Sequence, residues 1–131
     1  MDASALVEFI LRTPRARPVE ATIRDSAVDL HTPALCDVEF ASALRRALRE
    51  GLIQEERSEE ALGNYLDLPI TRHGHQLLLP RILDLRHNLS AYDAAYVALA
   101  ERLDAELLTG DGALAAAARE HVGIRIVRPP S

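Results

Sequence analysis

Four acidic residues stand at points where a segment with helical apolar spacing begins. Asp2 precedes the first such segment, Glu39 is predicted to lie in the first turn of a later one, and Asp93 stands three residues after Ser90, where another begins. Asp111 directly follows the apolar run that ends at Thr109. Carboxylate oxygens in this number suit a hard divalent cation such as Mg²⁺ or Mn²⁺. The chemistry of such a site is metal-assisted hydrolysis, in which the metal lowers the pKa of a bound water molecule.

Each of these acids also has a purely structural interpretation. Acids in a first helical turn offset the helix dipole, by about 0.3–1 kcal/mol each. Ser90 and Asp93 have the spacing of a capping box with Asp in place of the usual Glu, and Asp2 and Asp111 each fit an N-cap. Four carboxylates in one cleft, however, raise one another's pKa values unless a cation lies between them. Taken together, they favour a metal site.

The elements that position these acids alternate along the chain. Short strands are predicted near residues 28–31, 68–71, 106–109 and 124–127. Helices are predicted over residues 3–12, 18–26, 37–50, 58–66, 76–86, 90–103 and 113–120. This order indicates an α/β fold, a central parallel sheet flanked by helices, in a single domain spanning residues 1–131.

Ligands of an open parallel sheet bind beyond the carboxyl ends of the strands, where the next helices begin. We therefore expect at least Asp2, Glu39 and Asp111 to lie at one edge of the sheet. Only Met1 precedes Asp2. The N-terminal strand that usually opens such a fold is thus predicted to be truncated or absent.

Composition excludes several functions. The 131 residues include 15 basic residues, all of them arginine, and 20 acids, for a net charge of -5. Without lysine there is no P-loop and no lysine Schiff base, and an acidic chain binds nucleic acid poorly unless arginines, a metal or a partner help. Aromatic residues make up 4%, which predicts an aliphatic core. The single cysteine suits a reducing, cytoplasmic setting, and no apolar stretch reaches the roughly 20 residues of a membrane span.

Four local motifs in order resemble a PIN domain, and most nearly the VapC-type ribonuclease toxins of bacterial toxin–antitoxin pairs. They are Asp2-Ala-Ser4-Ala-Leu-Val, Pro33-Ala-Leu-Cys-Asp-Val-Glu39, Leu89-Ser-Ala-Tyr-Asp93-Ala-Ala-Tyr and Leu108-Thr-Gly-Asp111. The resemblance covers essentially the whole chain. It implies a Mg²⁺- or Mn²⁺-dependent endoribonuclease that forms a homodimer and is neutralised by a cognate VapB-type antitoxin.

Carried over residue by residue, the resemblance makes Asp2, Glu39, Asp93 and Asp111 the acidic quartet. Asp2 and Asp111 would hold the first metal ion, Asp93 would lie close to it or help to bind a second, and Glu39 would bind metal or orient water. Small polar residues that match supporting positions are Ser4 and Thr109. Three arginines are candidates for contacts with the RNA backbone, or for a solvated helix face: Arg45, Arg46 and Arg49.

Other interpretations remain open at this point. A catalytically impaired PIN domain would still bind an antitoxin or RNA, and the shortened N-terminus favours that alternative. Phosphomonoesterase chemistry with an aspartyl nucleophile usually needs a second acid two residues on, where Ser4 stands. His73 and His75 lack an evident third ligand for zinc. Cys36 is expected to be a small buried residue, and Tyr92 and Tyr96 are expected to pack at a helix face or a dimer seam.

Overall fold

A computed structural model describes residues 29–109 and 112–126, and these residues form four short strands, five α-helices and a 3-10 turn. The strands are β1 (Leu30–Pro33), β2 (Ile70–His73), β3 (Leu107–Thr109) and β4 (Ile124–Ile126). The helices are α1 (Leu35–Arg49), α2 (Glu55–Asp67), α3 (Leu79–Asp84), α4 (Ala91–Leu103) and α5 (Gly112–Ala118). The 3-10 turn, Gln76–Leu78, leads directly into α3. The helices predicted over 3–12 and 18–26 lie outside the described residues, and so does the N-terminal segment whose strand is predicted to be truncated or absent.

The strands pair in parallel. β1 pairs with β2 from Leu30 opposite Ile70 to Pro33 opposite His73, and β3 pairs with β4 in the same sense. Parallel neighbours require a crossover connection, usually a helix; α1 and α2 connect the first pair, and α5 connects the second. Helices between parallel strands confirm the predicted α/β class, and the described strands form two such pairs.

Helix α4 contacts both pairs of strands. It packs against α3, β1 and β3, and every residue from Ala94 to Ala100 is buried. A helix that is buried on every side carries apolar residues all round instead of one apolar stripe. The short side chains of the alanines in this segment allow neighbouring elements to approach the helix axis.

Helix α1 begins at Leu35, two residues before its predicted start. Its N-cap residue is Ala34, which has no side-chain acceptor. His75, forty residues away, takes that role, because its Nε2 accepts a hydrogen bond from the Leu35 amide at 3.1 Å. The earlier start corrects one prediction: Asp37 occupies the first turn, and Glu39 lies in the second.

The core is mainly aliphatic, as the composition predicts, and it includes three aromatic side chains. Phe40 of α1 and Tyr65 of α2 are almost fully buried and stack with ring centroids 4.1 Å apart and an interplanar angle of 8°. Tyr96 of α4 is also buried. Three of the chain's five aromatic side chains therefore lie in the core. No helix among the described residues is long and apolar enough to cross a membrane.

Candidate active site

Glu39, a residue of α1, contacts the buried helix α4. The hydroxyl of Tyr96 donates a hydrogen bond to Oε1 of Glu39 across a separation of 57 residues. Glu39 is partly buried, so this contact stabilises a carboxylate that has lost part of its hydration. Sequence reasoning missed Tyr96 as a site residue, although its position three residues after Asp93, on the same face of one helix, was a usable signal.

Tyr96 acts as a donor in this contact. Burial is the main reason that the pKa of Tyr96 is raised. The neighbouring Cys36 and the hydrogen bond to Glu39 raise it further. The phenol therefore keeps its proton at physiological pH, and a protonated phenol donates to a carboxylate. Tyr96 is 3% exposed and packs inside the protein, whereas Tyr92 is 65% exposed, and its expected place at a dimer seam stays a prediction.

Asp93 lies in the first turn of α4 and is partly buried. The N-cap is Ser90, whose hydroxyl oxygen accepts a hydrogen bond from the Asp93 amide at 3.1 Å. This bond confirms the predicted cap. It also separates the two roles, since Ser90 satisfies the amide while the Asp93 carboxylate lies near the positive end of the helix dipole.

A second tyrosine makes a similar contact to α1. The hydroxyl of Tyr65 and the Nε of Arg72 both donate to Oδ1 of Asp37, at 2.5 and 2.8 Å, and the Arg72 guanidinium lies 5.3 Å from the centre of the Tyr65 ring. Burial alone would raise the pKa of Asp37, but these hydrogen bonds and the charge of Arg72 outweigh it and lower that pKa. Asp37 thereby fixes the first turn of α1 to α2 and β2.

Thr109 ends β3 and is fully buried, and its supporting role beside the acids stays a prediction. Asp2, Ser4 and Asp111 lie outside the described residues. Within residues 29–109 and 112–126, no group of three or more His, Cys, Asp or Glu side chains is arranged to hold a metal ion. The other two acids of the predicted quartet, Asp2 and Asp111, belong outside that part of the chain. The acids inside it, Glu39 and Asp93, carry hard oxygen donors of the kind that Mg²⁺ and Mn²⁺ prefer.

The three candidate arginines are exposed near the end of α1. Arg46 and Arg49 lie in its last turn, where a positive charge also offsets the helix dipole. Arg46 is seven positions after Glu39, which places the two within about 20° of each other around the helix and about 10 Å apart along it. Arg45 and Arg49 are rotated away from Glu39 by about 120° and 80°.

The remaining reactive side chains contact other parts of the protein. Nδ1 of His31 lies 2.9 Å from Nε2 of His73, across the β1–β2 pair, and His75 caps α1. Cys36 is completely buried, and that burial raises the pKa of its thiol. A buried, protonated thiol is a poor nucleophile, which agrees with the structural role expected for Cys36.

Comparison with known proteins adds to this geometry. The PIN-domain family model matches residues 1–120. The chain belongs to the PIN-domain family. Ribonuclease VapC12 of Mycobacterium tuberculosis (strain ATCC 25618 / H37Rv) is 38% identical over 127 residues, which is 97% of both chains. VapC ribonuclease Mb0985 of Mycobacterium bovis (strain ATCC BAA-935 / AF2122/97) is 41% identical over 111 residues, or 85% of this PIN domain and 84% of that protein.

Ribonuclease VapC1 of Mycobacterium tuberculosis (strain ATCC 25618 / H37Rv) is 38% identical over 132 residues, which covers 98% of this PIN domain and 96% of the relative. The four acidic motifs predicted a resemblance to PIN domains and, within that family, to VapC-type ribonucleases. The match to the family model and the similarity to the named relatives confirm this resemblance. The PIN fold also agrees with the helix-connected parallel strands.

Proposed function

We propose that this protein is a divalent-metal-dependent endoribonuclease of the VapC type that hydrolyses RNA phosphodiester bonds. The observation that carries the proposal is the PIN-domain match over residues 1–120, which includes all four motif acids. The contact between α1 and α4 supports it. Tyr96, one turn after Asp93 on α4, binds Glu39 of α1, so two of the four acids come from helices in direct contact.

Asp2, Glu39, Asp93 and Asp111 are the residues that would hold Mg²⁺ or Mn²⁺. When bound, such an ion lowers the pKa of a coordinated water molecule and offsets charge on the phosphodiester oxygens. The residues of this chain hold the donor atoms in place. Ser90 fixes the first turn of α4 and with it the backbone of Asp93. Thr109 and Ser4 are assigned supporting positions beside the acids.

Arg46 is the arginine whose position on α1 best suits contact with RNA. It is exposed, it lies on the same side of the helix as Glu39, and its guanidinium presents a donor fork that matches phosphate oxygens. RNA that approaches the acids along α1 would bring a neighbouring phosphate to this side chain. Arg45 and Arg49 are weaker candidates, because the helix turns them away from that line.

Cleavage of cellular RNA in Mg²⁺ or Mn²⁺ tests the proposal. Asp93→Asn should reduce the rate about a hundredfold or more, because removing a ligand forfeits several kcal/mol of charge stabilisation and each 1.36 kcal/mol is about tenfold in rate. The control Asp84→Asn changes an exposed carboxylate at the end of α3 and should cleave as the wild type does. EDTA should abolish activity.

Wild-type protein that cleaves no RNA in either metal would overturn the nuclease proposal. It would favour the alternative, a catalytically impaired PIN domain that binds antitoxin or RNA without cutting. Cleavage that EDTA leaves untouched would instead overturn the metal dependence.

Anisotropy of a labelled single-stranded RNA, in EDTA and over a series of salt concentrations, tests the assignment of Arg46. Arg46→Ala should weaken binding and reduce the slope of log affinity against log salt by about 0.7, the value for one lost phosphate contact on a single strand. Arg45→Ala, the matched control, should change the slope less. Equal effects of the two substitutions would show that α1 contributes only a diffuse positive charge.

The proposed partners are the RNA substrate, a VapB-type antitoxin and a second copy of this chain, in the cytoplasm. Light scattering after size exclusion measures the mass of the purified protein and distinguishes a homodimer from a monomer. Co-expression with the product of an adjacent small reading frame tests the antitoxin. A protein that neither dimerises nor binds that product would contradict this part of the proposal.

A further inference from the structure

Tyr96 is the single residue in the buried segment Ala94–Ala100 whose side chain carries a polar atom. Its neighbours in the segment are alanines, Val97 and Leu99. A buried hydroxyl loses its hydration and needs a partner to recover the free energy. A phenylalanine would fill nearly the same volume without that requirement. The role of the hydroxyl therefore depends on the residue to which it donates, Glu39.

We propose that Tyr96 is a positioning residue that holds the Glu39 carboxylate in place for metal binding. Glu has three rotatable side-chain bonds, and a site that binds a small cation needs its ligands fixed to within a fraction of an ångström. The Tyr96 hydroxyl donates to one carboxylate oxygen of Glu39. The ring itself is rigidly enclosed, because only 3% of Tyr96 is exposed.

The contact also couples the two acids that the described residues supply. Asp93 and Tyr96 lie on one face of α4, a single turn apart. The orientation of α4 that fixes the position of Asp93 therefore also fixes the position of the Tyr96 hydroxyl that binds Glu39. Groups that hydrogen-bond to metal ligands typically change metal affinity by about 10–100-fold when removed. This inference rests on the proposed function, since it concerns the same site.

Tyr65 provides a matched control. Only 2% of Tyr65 is exposed, compared with 3% of Tyr96. The hydroxyl of Tyr65 also donates a hydrogen bond to a carboxylate of α1. That carboxylate belongs to Asp37, which is bound to Arg72 and is not one of the four motif acids. Tyr65→Phe and Tyr96→Phe therefore remove the same group from similar environments, and only the second substitution affects the proposed ligand set.

The first experiment uses the metal-free protein with ¹³Cζ-labelled tyrosine. The chain has three tyrosines, so the spectrum contains three signals, for Tyr65, Tyr92 and Tyr96. Glu39→Gln should shift the signal of Tyr96 and leave the other two in place, whereas Asp37→Asn should shift that of Tyr65. An unmoved Tyr96 signal in Glu39→Gln would overturn the proposal without any reference to catalysis.

The second experiment measures Mn²⁺ binding by titration calorimetry. Tyr96→Phe should weaken binding about tenfold, and Tyr65→Phe should stay within twofold of the wild type. In a Glu39→Gln background, Tyr96→Phe should have no further effect, because its action passes through Glu39. Binding by Tyr96→Phe equal to that by Tyr65→Phe, or effects of Tyr96→Phe and Glu39→Gln that simply add, would overturn the proposal.

The two proposals fail in distinguishable ways. Wild-type protein that neither binds Mn²⁺ nor cleaves RNA overturns the proposed function, and the tyrosine signals then decide by themselves whether Tyr96 holds Glu39. Wild-type protein that binds Mn²⁺ and cleaves RNA, together with an unaffected Tyr96→Phe, overturns only the positioning role. Thermal unfolding of each variant, followed by circular dichroism, shows that a weakened affinity comes from a folded protein.

Discussion

Two tyrosines bind two acids of the same helix, and the partners decide what each contact does. Tyr65 and Arg72 hold Asp37 in a cluster at the surface, where the Asp37 side chain is 42% exposed. Tyr96 instead binds Glu39 from the buried face of α4. At the scale of single residues, the first contact stabilises the start of a helix, and the second positions a proposed ligand.

The Asp37 cluster makes stability depend on pH. Its hydrogen bonds and the charge of Arg72 lower the pKa of Asp37 in the folded protein. The stability that it contributes is therefore present above the unfolded pKa of about 3.9 and is lost as the pH falls through the folded pKa. Asp37→Asn should lower the free energy of unfolding at pH 7 by about 0.2–1 kcal/mol, since water screens a partly exposed pair.

Urea denaturation at pH 7 and at pH 2.5, about one unit or more below the unfolded pKa, measures this difference. The difference in the free energy of unfolding between the wild type and Asp37→Asn should be smaller at the lower pH. Glu59→Gln, a change at an exposed acid of α2, is the control and should leave the free energy of unfolding nearly unchanged at pH 7. A gap that widens as the pH falls would contradict the assigned direction of the pKa shift.

At the scale of elements, the end of α1 follows local rules. Gly51 has φ +72°; its amide donates to the Leu48 carbonyl, and the Leu52 amide donates to that of Ala47. This is the Schellman arrangement, which glycine favours because it has no Cβ to strain the left-handed backbone. The sequence predicted this stop correctly because it depends on residues that adjoin one another.

Two glycine substitutions should change stability in opposite directions. Gly51→Ala should destabilise the protein by about 1–2 kcal/mol, owing to the left-handed backbone alone, because a Cβ would meet nothing within 4 Å. Gly63→Ala, inside α2 and equally unobstructed, should stabilise it by about 0.5–1 kcal/mol. Thermal unfolding of both variants gives the comparison, and a stabilising Gly51→Ala would contradict the role of its backbone.

The start of α1 shows what local rules omit. Ala34 is a poor N-cap by type, and the histidine that replaces the missing acceptor lies forty residues later. A capping residue that distant leaves no mark in the segment itself. The predicted start therefore fell at Asp37, the first residue with ordinary helix-start chemistry, and Glu39 was assigned to the wrong turn.

At the scale of the whole molecule, α4 joins the two strand pairs, so truncating its core should affect the entire fold. Val97 is completely buried, and Val97→Ala should lower the free energy of unfolding by about 1–3 kcal/mol. Val38→Ala removes the same atoms at a side chain that is 72% exposed on α1 and should change it by less than about 0.5 kcal/mol.

Unfolding in urea, followed both by far-ultraviolet circular dichroism and by tyrosine fluorescence, measures these changes. The two signals should report one transition with the same midpoint, as expected if residues 1–131 form a single cooperative domain. Separate midpoints in wild-type protein would contradict the single-domain prediction. A larger loss from Val38→Ala than from Val97→Ala would contradict the central position of α4.

The sequence by itself determined the α/β class, most of the helices and the family, because apolar periodicity and short acidic motifs involve residues that are close together in the chain. It also singled out Glu39 and Asp93 as acids near helix starts, although only Asp93 lies in a first turn and Glu39 lies in the second turn of α1. The tertiary structure decided which group meets each acid: Tyr96 reaches Glu39 across 57 residues, and Tyr65 reaches Asp37 across 28. Such pairings depend on how helices pack against one another, and packing brings together side chains whose sequence neighbours carry no sign of the contact.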